Sequence, residues 1–240
     1  MLDILKLGDD VTQEVEKDTL GGGGALNTDL YTLTLKAAYF DQAKSKATSL
    51  NLIMETPEGR RLNVTEYITS GEAKGCKPYY EKDGKKFPLP GYAKMNTLCQ
   101  LATGKTIDQL SVEDKILKLY DFEERKEMNK SKKVIAELSG VTIKAGVFKI
   151  IEDKKSKQGD EYLPTGETRE VNEVAKFFNE EGKTIEEVTS NKDASFAEEW
   201  IKAHQGKTKD KSTKQAAGAV SGAPSLGGAA PTTTSTLSFN

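Results

Sequence analysis

The sequence contains few of the residues on which catalytic and metal sites depend. Its 240 residues include one histidine, His204, and two cysteines, Cys76 and Cys99. A histidine-based triad or a site with several histidine ligands is therefore excluded. These three residues lack the close pairing typical of zinc sites, so structural zinc is a weak alternative. Sparse cysteine is typical of reducing compartments, and we expect no disulfide framework, no metal and no cofactor.

Long apolar runs and an excess of charge of one sign are also missing. No run approaches the roughly 20 apolar residues that a membrane helix needs. The acidic segment 1–17 lacks the basic and apolar regions of a secretory signal. We therefore expect a cytoplasmic protein without a membrane partner. A formal net charge of -2 excludes a strongly basic nucleic-acid binder on bulk charge, but leaves room for a local basic groove.

Motifs for phosphate binding and catalysis are incomplete. Glycines 21–24 predict a flexible leader or loop. The alternative, a phosphate-cradling loop, requires GxxxxGK[ST] or GxGxxG between a strand and a helix. The segment 103–106, Thr-Gly-Lys-Thr, resembles the end of such a loop, but Cys99 stands where its first glycine would be. Carboxylates lie in mixed-charge runs such as 123–127, which are typical of a solvated surface. We expect no enzymatic activity.

The first half of the chain has the alternation of half-buried strands. Residues 29–40, 47–55 and 60–69 each alternate apolar with polar side chains, as Leu33 and Leu35 do with their neighbours. Turn residues separate the segments, which predicts an antiparallel meander. Residues 79–87 centre on Asp-Gly, the usual signal for a tight hairpin.

The second half adds further strands and a few short helices. Residues 91–103 predict a helix, because Tyr92, Met95, Leu98, Cys99 and Ala102 share one face. Strand character returns at 115–122, and at 132–153 as a pair around Gly140 or Gly146. Residues 162–178 are ambiguous, since Val171, Val174, Phe177 and Phe178 have helical spacing. Residues 193–204 predict a last short helix. The fold class is mainly β with minor α.

Composition divides the chain into three parts. Residues 1–27 predict a flexible leader that is acidic and ends in glycines, residues 28–205 a globular domain, and residues 206–240 a low-complexity tail. Such a tail cannot bury enough apolar surface to offset the entropy of ordering, so we expect it to be disordered. It consists of a basic neck, residues 207–214, and an uncharged part that ends near Leu237 and Phe239. We expect the neck to assist nucleic-acid binding.

Basic residues interleaved with aromatic residues are the positive functional signal, and they are densest over residues 74–94. Single-stranded nucleic acid is held by cations on its phosphates and flat rings under its bases. Tyrosines on strands are also common core residues, and lysines in hairpins commonly serve solubility, so both interpretations stay open. The candidate nucleic-acid-binding residues are Tyr31, Lys36, Tyr39, Arg60, Arg61, Tyr67, Lys74, Lys77, Tyr79, Tyr80, Lys82, Lys85, Lys86 and Phe87.

The order of motifs resembles the single-stranded DNA-binding proteins of tailed bacteriophages. The resemblance runs from Leu30 to about Lys207, and none of its motifs is a catalytic signature. It is carried by the opening strands, Tyr67-Ile68-Thr69, the segment 82–92 (KDGKKFPLPGY), the segment 101–105 (LATGK), Lys118 to Asp121, the segment 162–169 (YLPTGETR), and Trp200 with the Gly-Lys-Thr that follows the last helix.

This resemblance implies an OB-like antiparallel barrel that coats and protects single strands during phage DNA replication, recombination and repair, in the host cytoplasm. Such barrels bind oligonucleotides on a strand face bordered by loops. Proteins of this function often end in an acidic tail with a terminal Phe that recruits partners. This chain keeps a near-terminal Phe without the acidic run, so Leu237 and Phe239 are the candidate contacts to replication or recombination proteins. The alternatives are a non-enzymatic interaction or virion-associated protein without nucleic-acid binding, and a nuclease using scattered carboxylates.

Overall fold

The computed structural model describes residues 24–121, 124–159 and 161–213, and this part of the chain is mainly β. Its strands are β1 (Asp29–Gln42), β2 (Thr48–Glu55), β3 (Arg61–Tyr67), β4 (Tyr79–Lys82), β5 (Lys85–Pro88), β6 (Val112–Asp121), β7 (Lys126–Ile135), β8 (Thr142–Gln158), β9 (Glu161–Phe178) and β10 (Thr208–Asp210). Its α-helices are α1 (Pro90–Thr103), α2 (Ile185–Thr189) and α3 (Phe196–His204). Three short 3-10 turns, Glu72–Lys74, Ile107–Gln109 and Ala136–Leu138, complete it.

The local predictions hold where the pattern was strongest. The three opening strands, the helix after Pro90 and the last helix are confirmed. The tight hairpin is confirmed too, because Asp83 (φ 52°) and Gly84 (φ 71°) both take the positive φ that a two-residue turn of this kind requires. Gly104 closes α1 in the left-handed conformation, so the segment resembling a phosphate loop is a helix cap.

Strand β1 is the centre of the main sheet. It pairs antiparallel with β2 over Thr34–Gln42, and its other edge pairs first with β8 and then with β7. A bulge between Leu35 and Ala37 accompanies this change of partner. Strand β3 extends β2, β6 extends β7, β9 lies along β8, and β10 runs parallel to β8. Within the described ranges, these ladders do not close the sheet into a barrel.

Side chains, not a strand ladder, span the open edge between β3 and β9. The ammonium of Lys94 on α1 bonds the carboxylate of Glu66 on β3 and the carbonyl of Val174 on β9. The amide of Asn172 on β9 bonds both the N–H and the carbonyl of Leu26, each at 2.8 Å. The described start of the chain is thus fixed beside this edge, and Leu26 is buried although the predicted leader extended to residue 27.

The main core lies between the curved sheet and α1. Met95, Leu98 and Cys99 of α1 are fully buried against the inward side chains of β1, β2 and β8, as their helical spacing predicted. Burial raises the pKa of the Cys99 thiol to about 12, so this thiol stays protonated. Cys99 is therefore a core residue and not a nucleophile.

A second, smaller core lies under α3. Trp200 packs on Phe148, with ring centroids 5.3 Å apart, and also touches Gly146. A Cβ at Gly146 would lie 2.9 Å from the indole ring, so close an approach requires glycine at this position of β8. His204 packs beside Phe148 and Trp200 at 5.0 and 5.1 Å, which makes it part of this cluster.

Residues 162–178 form strand β9, so their helical spacing was misleading. Both faces of the second half of β9 are covered. Val174 and Phe177 enter the main core, whereas Val171 and Phe178 enter the core under α3. A strand buried on two faces loses its alternation. The bulge opposite Gly146 and Val147 shifts the register further and produces the three- and four-residue spacing.

The basic neck belongs to the domain and not to a separate tail over residues 206–213. Strand β10 pairs with β8, the N–H of Gly206 bonds the carbonyl of Thr28 at 2.9 Å, and Thr213 bonds the carboxylate of Asp153. We predicted that the tail begins at residue 206 because residues 206–213 contain no apolar side chain. The leader 1–23 and residues 214–240, with Leu237 and Phe239, lie outside the described residues.

None of the helices in the described ranges is both long and apolar enough to cross a membrane. The longest, α1, has 14 residues, whereas a spanning helix needs roughly 20.

Candidate nucleic-acid interface

A cleft of about 800 Å³ lies between the end of β3, the β4–β5 hairpin and the start of α1. We call it the tyrosine cleft. Its aromatic and charged lining residues are Tyr67, Lys74, Lys77, Tyr79, Tyr80 and Glu81, and Glu81 pairs with Lys77 at 3.9 Å. The three tyrosines and two lysines were candidates from the sequence, so the fold brings this part of the predicted site together. Ser45, from the loop between β1 and β2, forms part of the rim.

The β4–β5 hairpin presents rings and cations together. The ammonium groups of Lys77 and Lys86 lie 5.6 and 4.9 Å from the centroid of the Tyr79 ring. Tyr80 stacks on Phe87, its cross-strand neighbour, with centroids 5.6 Å apart. Residues 74–86 contain five lysines and two carboxylates, so the hairpin and its approach are locally basic in a chain of net negative charge. The cross-strand ring contact and the cation–π contacts hold these rings in place on the hairpin.

Gly91 sets the depth of the tyrosine cleft. It is the second residue of α1, and a Cβ there would lie 2.3 Å from the carbonyl oxygen of Tyr67. The absence of a side chain lets the start of the helix lie directly on the end of β3. Tyr67 consequently sits at the wall of the cleft, and 53% of its surface is exposed.

A second depression of about 420 Å³ lies between the outer face of β1–β3 and the β6–β7 hairpin. We call it the strand groove. The sheet contributes Tyr39, Asn51, Asn63, Thr65 and Arg61, and the hairpin contributes Lys118, Tyr120, Glu127, Lys130 and Lys132. Tyr39 and Arg61 were sequence candidates. The hairpin residues were not, although lysine and tyrosine alternate at 118 and 120.

Cations outnumber carboxylates in the strand groove. Arg61, Lys118, Lys130 and Lys132 line it together with Asp41 and Glu127. Lys132 bonds Asp41 and Lys118 bonds Glu127, each at 2.8 Å. The hydrogen bond and charge of Lys118 hold the pKa of Glu127 below its usual range, so this carboxylate stays ionised at neutral pH. Lys130 pairs with Asp121 at 2.7 Å, so the four cations and three carboxylates leave one positive charge in excess for an anionic ligand.

Strand β3 connects the tyrosine cleft to the strand groove. Arg61, Asn63, Thr65 and Tyr67 alternate with the buried Leu62 and Val64, so all four point to the outer face. Arg61 and Thr65 line the strand groove, and Tyr67 lines the tyrosine cleft. Six residues of strand span roughly 20 Å. One polar face of this length therefore joins the two depressions.

Seven sequence candidates line neither depression: Tyr31, Lys36, Arg60, Lys82, Lys85, Lys86 and Phe87. Tyr31 is half-buried, and its hydroxyl bonds the carbonyl of Asn27 at 2.9 Å. Burial is the main cause of the raised pKa of Tyr31, so the ring serves the edge of the core. Arg60 bonds the carbonyl of Gly24 at 2.7 Å, and Lys36 pairs with Glu55 at 3.4 Å. Lys82 and Lys85, at the turn of the hairpin, are exposed but line neither depression.

The described residues contain no cluster of three or more His, Cys, Asp or Glu side chains placed to hold a metal ion. Cys76 is exposed and Cys99 is buried, and His204, at the end of α3, packs against Phe148 and Trp200. The three candidate zinc ligands of the sequence are therefore not brought together.

Comparison of the chain with protein-family models and with curated proteins finds no match. A function for this chain must therefore be argued from its own surfaces. Among these, the tyrosine cleft and the strand groove unite aromatic rings with excess positive charge.

Proposed function

We propose that the chain binds single-stranded DNA without sequence preference, along the track formed by the tyrosine cleft, the outer face of β3 and the strand groove. The observation that carries this proposal is the continuity of the track. Tyrosines lie beside lysines in the tyrosine cleft, and beside lysines and Arg61 in the strand groove. The polar side chains of Asn63 and Thr65 on β3 lie between these two groups. Rings stack on bases of any identity, and cations follow the phosphates, so neither contact selects a sequence.

The arrangement of the strands supports an OB-like core for this site. In an OB fold, five strands form a partly open barrel that binds oligonucleotides on the face of its second and third strands and at the loop between its first and second. Here β1, β2, β3, β8 and β9 would be those five strands, with the β3–β9 edge as the opening. The strand groove lies over β2 and β3, and Ser45 of the β1–β2 loop borders the tyrosine cleft.

The biological role we propose is the coating of single strands during phage replication, recombination and repair. It rests on the resemblance in the order of motifs, together with the track described above. Recruitment of replication proteins through Leu237 and Phe239 is a further prediction, and those two residues lie outside the described ranges. Binding and protection of a strand require no catalytic residues.

The first test is a fluorescence titration of the full chain with oligo-dT at several salt concentrations. We expect binding at low salt, because the track offers at least Lys74, Lys77 and Arg61 to phosphates. Each phosphate contact on a single strand lowers the log–log salt slope by about 0.7, so three contacts predict a slope of about -2. The control is a duplex of the same length. Equal affinity for the duplex, or no binding at low salt, would refute the proposal and favour an interaction protein.

The second test locates the strand on the protein. Tyr67→Ala and Tyr79→Ala each remove one ring from the tyrosine cleft. A base–aromatic stack contributes about 1–3 kcal/mol, so each change should weaken binding of oligo-dT by roughly 5- to 150-fold. The measurement is the same titration, at a salt concentration where the unmodified chain binds fully.

Tyr162→Ala is the matched control for these changes. Tyr162 is more exposed than Tyr67 and lies on the outer half of β9, away from the lining of both depressions. We expect it to leave affinity unchanged. If Tyr162→Ala weakens binding and Tyr67→Ala and Tyr79→Ala do not, the strand follows the β8–β9 arm and the proposed track is wrong.

A further inference from the structure

The β6–β7 hairpin has a long edge strand. All ten residues of β6, Val112–Asp121, pair with β7, and across the described ranges no other strand pairs with the opposite edge of β6. An edge of this length presents a row of backbone N–H and carbonyl groups that is ready to accept another strand. Proteins commonly protect such an edge by keeping it short, bulged or covered. Across the described residues, β6 is ten residues long, its ladder is unbroken and no other strand covers its edge, although it carries charged residues of both signs, which also protect edges.

The exposed face of β6 is apolar at regular intervals. Val112, Ile116 and Tyr120 all project from the same face, and Ile116 is 74% exposed. Asp114 and Lys118 occupy the two positions between them, also exposed. The face therefore reads apolar, acidic, apolar, basic, apolar along the strand. Apolar residues thus lie at equal distances on the two sides of Ile116, and the two charged residues at equal distances from it have opposite signs.

We infer that β6 pairs antiparallel with β6 of a second copy of the chain, on a two-fold axis through Ile116. In this register Ile116 lies opposite Ile116, and each Asp114 lies opposite a Lys118. Each Val112 likewise lies opposite a Tyr120. Cross-strand apolar pairs and opposite-charge pairs both stabilise an antiparallel ladder. The symmetry repeats each favourable pair, as an isologous dimer requires.

Neighbouring registers lack this match. An axis through Leu117 would place Ile116 opposite Lys118 and Asp114 opposite Tyr120. An axis through Lys115 would place Asp114 opposite Ile116 and Val112 opposite Lys118. Only the Ile116 axis aligns apolar with apolar and acid with base along the whole exposed face. In that register Glu113 and Lys115, on the opposite face, meet leucines, so no like charges come together.

The pairing would join the two β6–β7 hairpins edge to edge and make the main sheets of the two copies continuous. Because Lys118 and Tyr120 also border the strand groove, the joint would lie beside the grooves of both copies. A second copy thus has a defined place that requires neither DNA nor another protein. An interface of one strand pair is small, so we expect reversible dimers with a dissociation constant on the order of 10 μM.

The test is sedimentation equilibrium of the full chain without DNA, over a range of protein concentrations. It compares the unmodified chain with two single charge-reversal variants and with the variant that combines them. Asp114→Lys puts two lysine pairs across the axis, and Lys118→Asp puts two aspartate pairs there. We expect each to weaken dimerisation by about tenfold or more, since like charges directly opposite destabilise a ladder. The double variant D114K/K118D restores complementarity across the axis, and we expect it to recover most of the lost affinity.

Glu113→Lys is the matched control, because it makes the same charge change on the same strand but faces Leu119 of the second copy. Its dimerisation should be within about threefold of the unmodified chain. A chain that stays monomeric at every concentration overturns the inference. So does a dimer that ignores Asp114→Lys, one that the double variant does not recover, or one that Glu113→Lys weakens equally. Circular dichroism confirms that each variant is folded, as expected for exposed positions.

Discussion

We expect Gly91→Ala to lower the free energy of unfolding by about 3 kcal/mol, because the added methyl group has no room against β3. A Cβ at this position would lie 2.3 Å from the carbonyl oxygen of Tyr67, and the obstructing atom is backbone. In a helix, alanine is ordinarily favoured over glycine by about 1 kcal/mol. A loss of stability would therefore show that the contact with β3 outweighs helix propensity.

The measurement for Gly91→Ala is urea unfolding, followed by the oligo-dT titration on the folded fraction. Because the added methyl group must push α1 away from β3, the wall of the tyrosine cleft should move and DNA affinity should fall as well. Gly24→Ala is the control, since its Cβ would meet nothing within 4 Å. If Gly91→Ala is as stable as the unmodified chain, α1 does not rest on Tyr67 as described.

Glu187→Gln should lower the free energy of unfolding by about 2 kcal/mol at pH 7. The Glu187 carboxylate is buried between α2 and α3. One oxygen accepts the N–H of Thr184 at 2.8 Å, and the other accepts the N–H groups of Ser195 and Phe196 at 2.8 and 2.9 Å. These backbone hydrogen bonds, that of Thr184 foremost and Phe196 next, lower the pKa of Glu187 to about 2. The amide would turn donors toward at least one N–H group.

The stability that Glu187 contributes should depend on pH in a defined direction. A carboxyl whose pKa falls from 4.5 to about 2 on folding stabilises the protein above pH 4.5. The contribution is lost as the pH falls from about 4.5 to about 2, because over this interval the unfolded state takes up a proton that the folded state does not yet bind. The gap between the unmodified chain and Glu187→Gln should close over this interval.

Urea unfolding at several pH values between 2 and 7 measures this gap. Glu186→Gln, one residue earlier in the same helix, is the control, because that side chain is exposed and only meets Lys192 at 3.7 Å. We expect it to change stability by less than about 0.5 kcal/mol at any pH. A gap for Glu187→Gln that is constant across the pH range would show that the carboxylate charge is not what the three N–H groups bind.

The sequence predicts the fold best where one strand face is wet. Strands β1 to β3 alternate apolar with polar residues because their outer face is solvated. Asp83-Gly84 predicts its tight turn directly. The sequence left residues 162–178 ambiguous, and they form β9, where burial against a core on each face removes the alternation. The sequence also ended the globular domain at residue 205, because residues 206–210 are held by backbone pairing with β8 and by hydrogen bonds to Thr28, neither of which has an apolar signature.

The candidate site was predictable in its local half only. Tyr79, Tyr80 and Lys77 are adjacent in the chain, so the sequence shows them as one cluster. Lys130 and Lys132 reach the strand groove through the pairing of β7 with β6 and β1, a tertiary placement that no local pattern reveals. Conversely, Tyr31 and Arg60 have the same residue types as the site but lie elsewhere. Tyr31 lies at the edge of the core, and Arg60 bonds the carbonyl of Gly24.

The pairing of β1 on both of its edges has a consequence for the synthesis of the chain. One edge of β1 pairs with β2, close in sequence, but the other waits for β8, which begins 100 residues after β1 ends. At synthesis rates of about 5–20 residues per second, that edge stays unpaired for roughly 5–20 s after β1 has emerged. Contacts of such separation also slow folding. The nascent chain therefore carries an open strand edge throughout this interval, and β10 can pair with β8 only after residues 208–210 have left the ribosome.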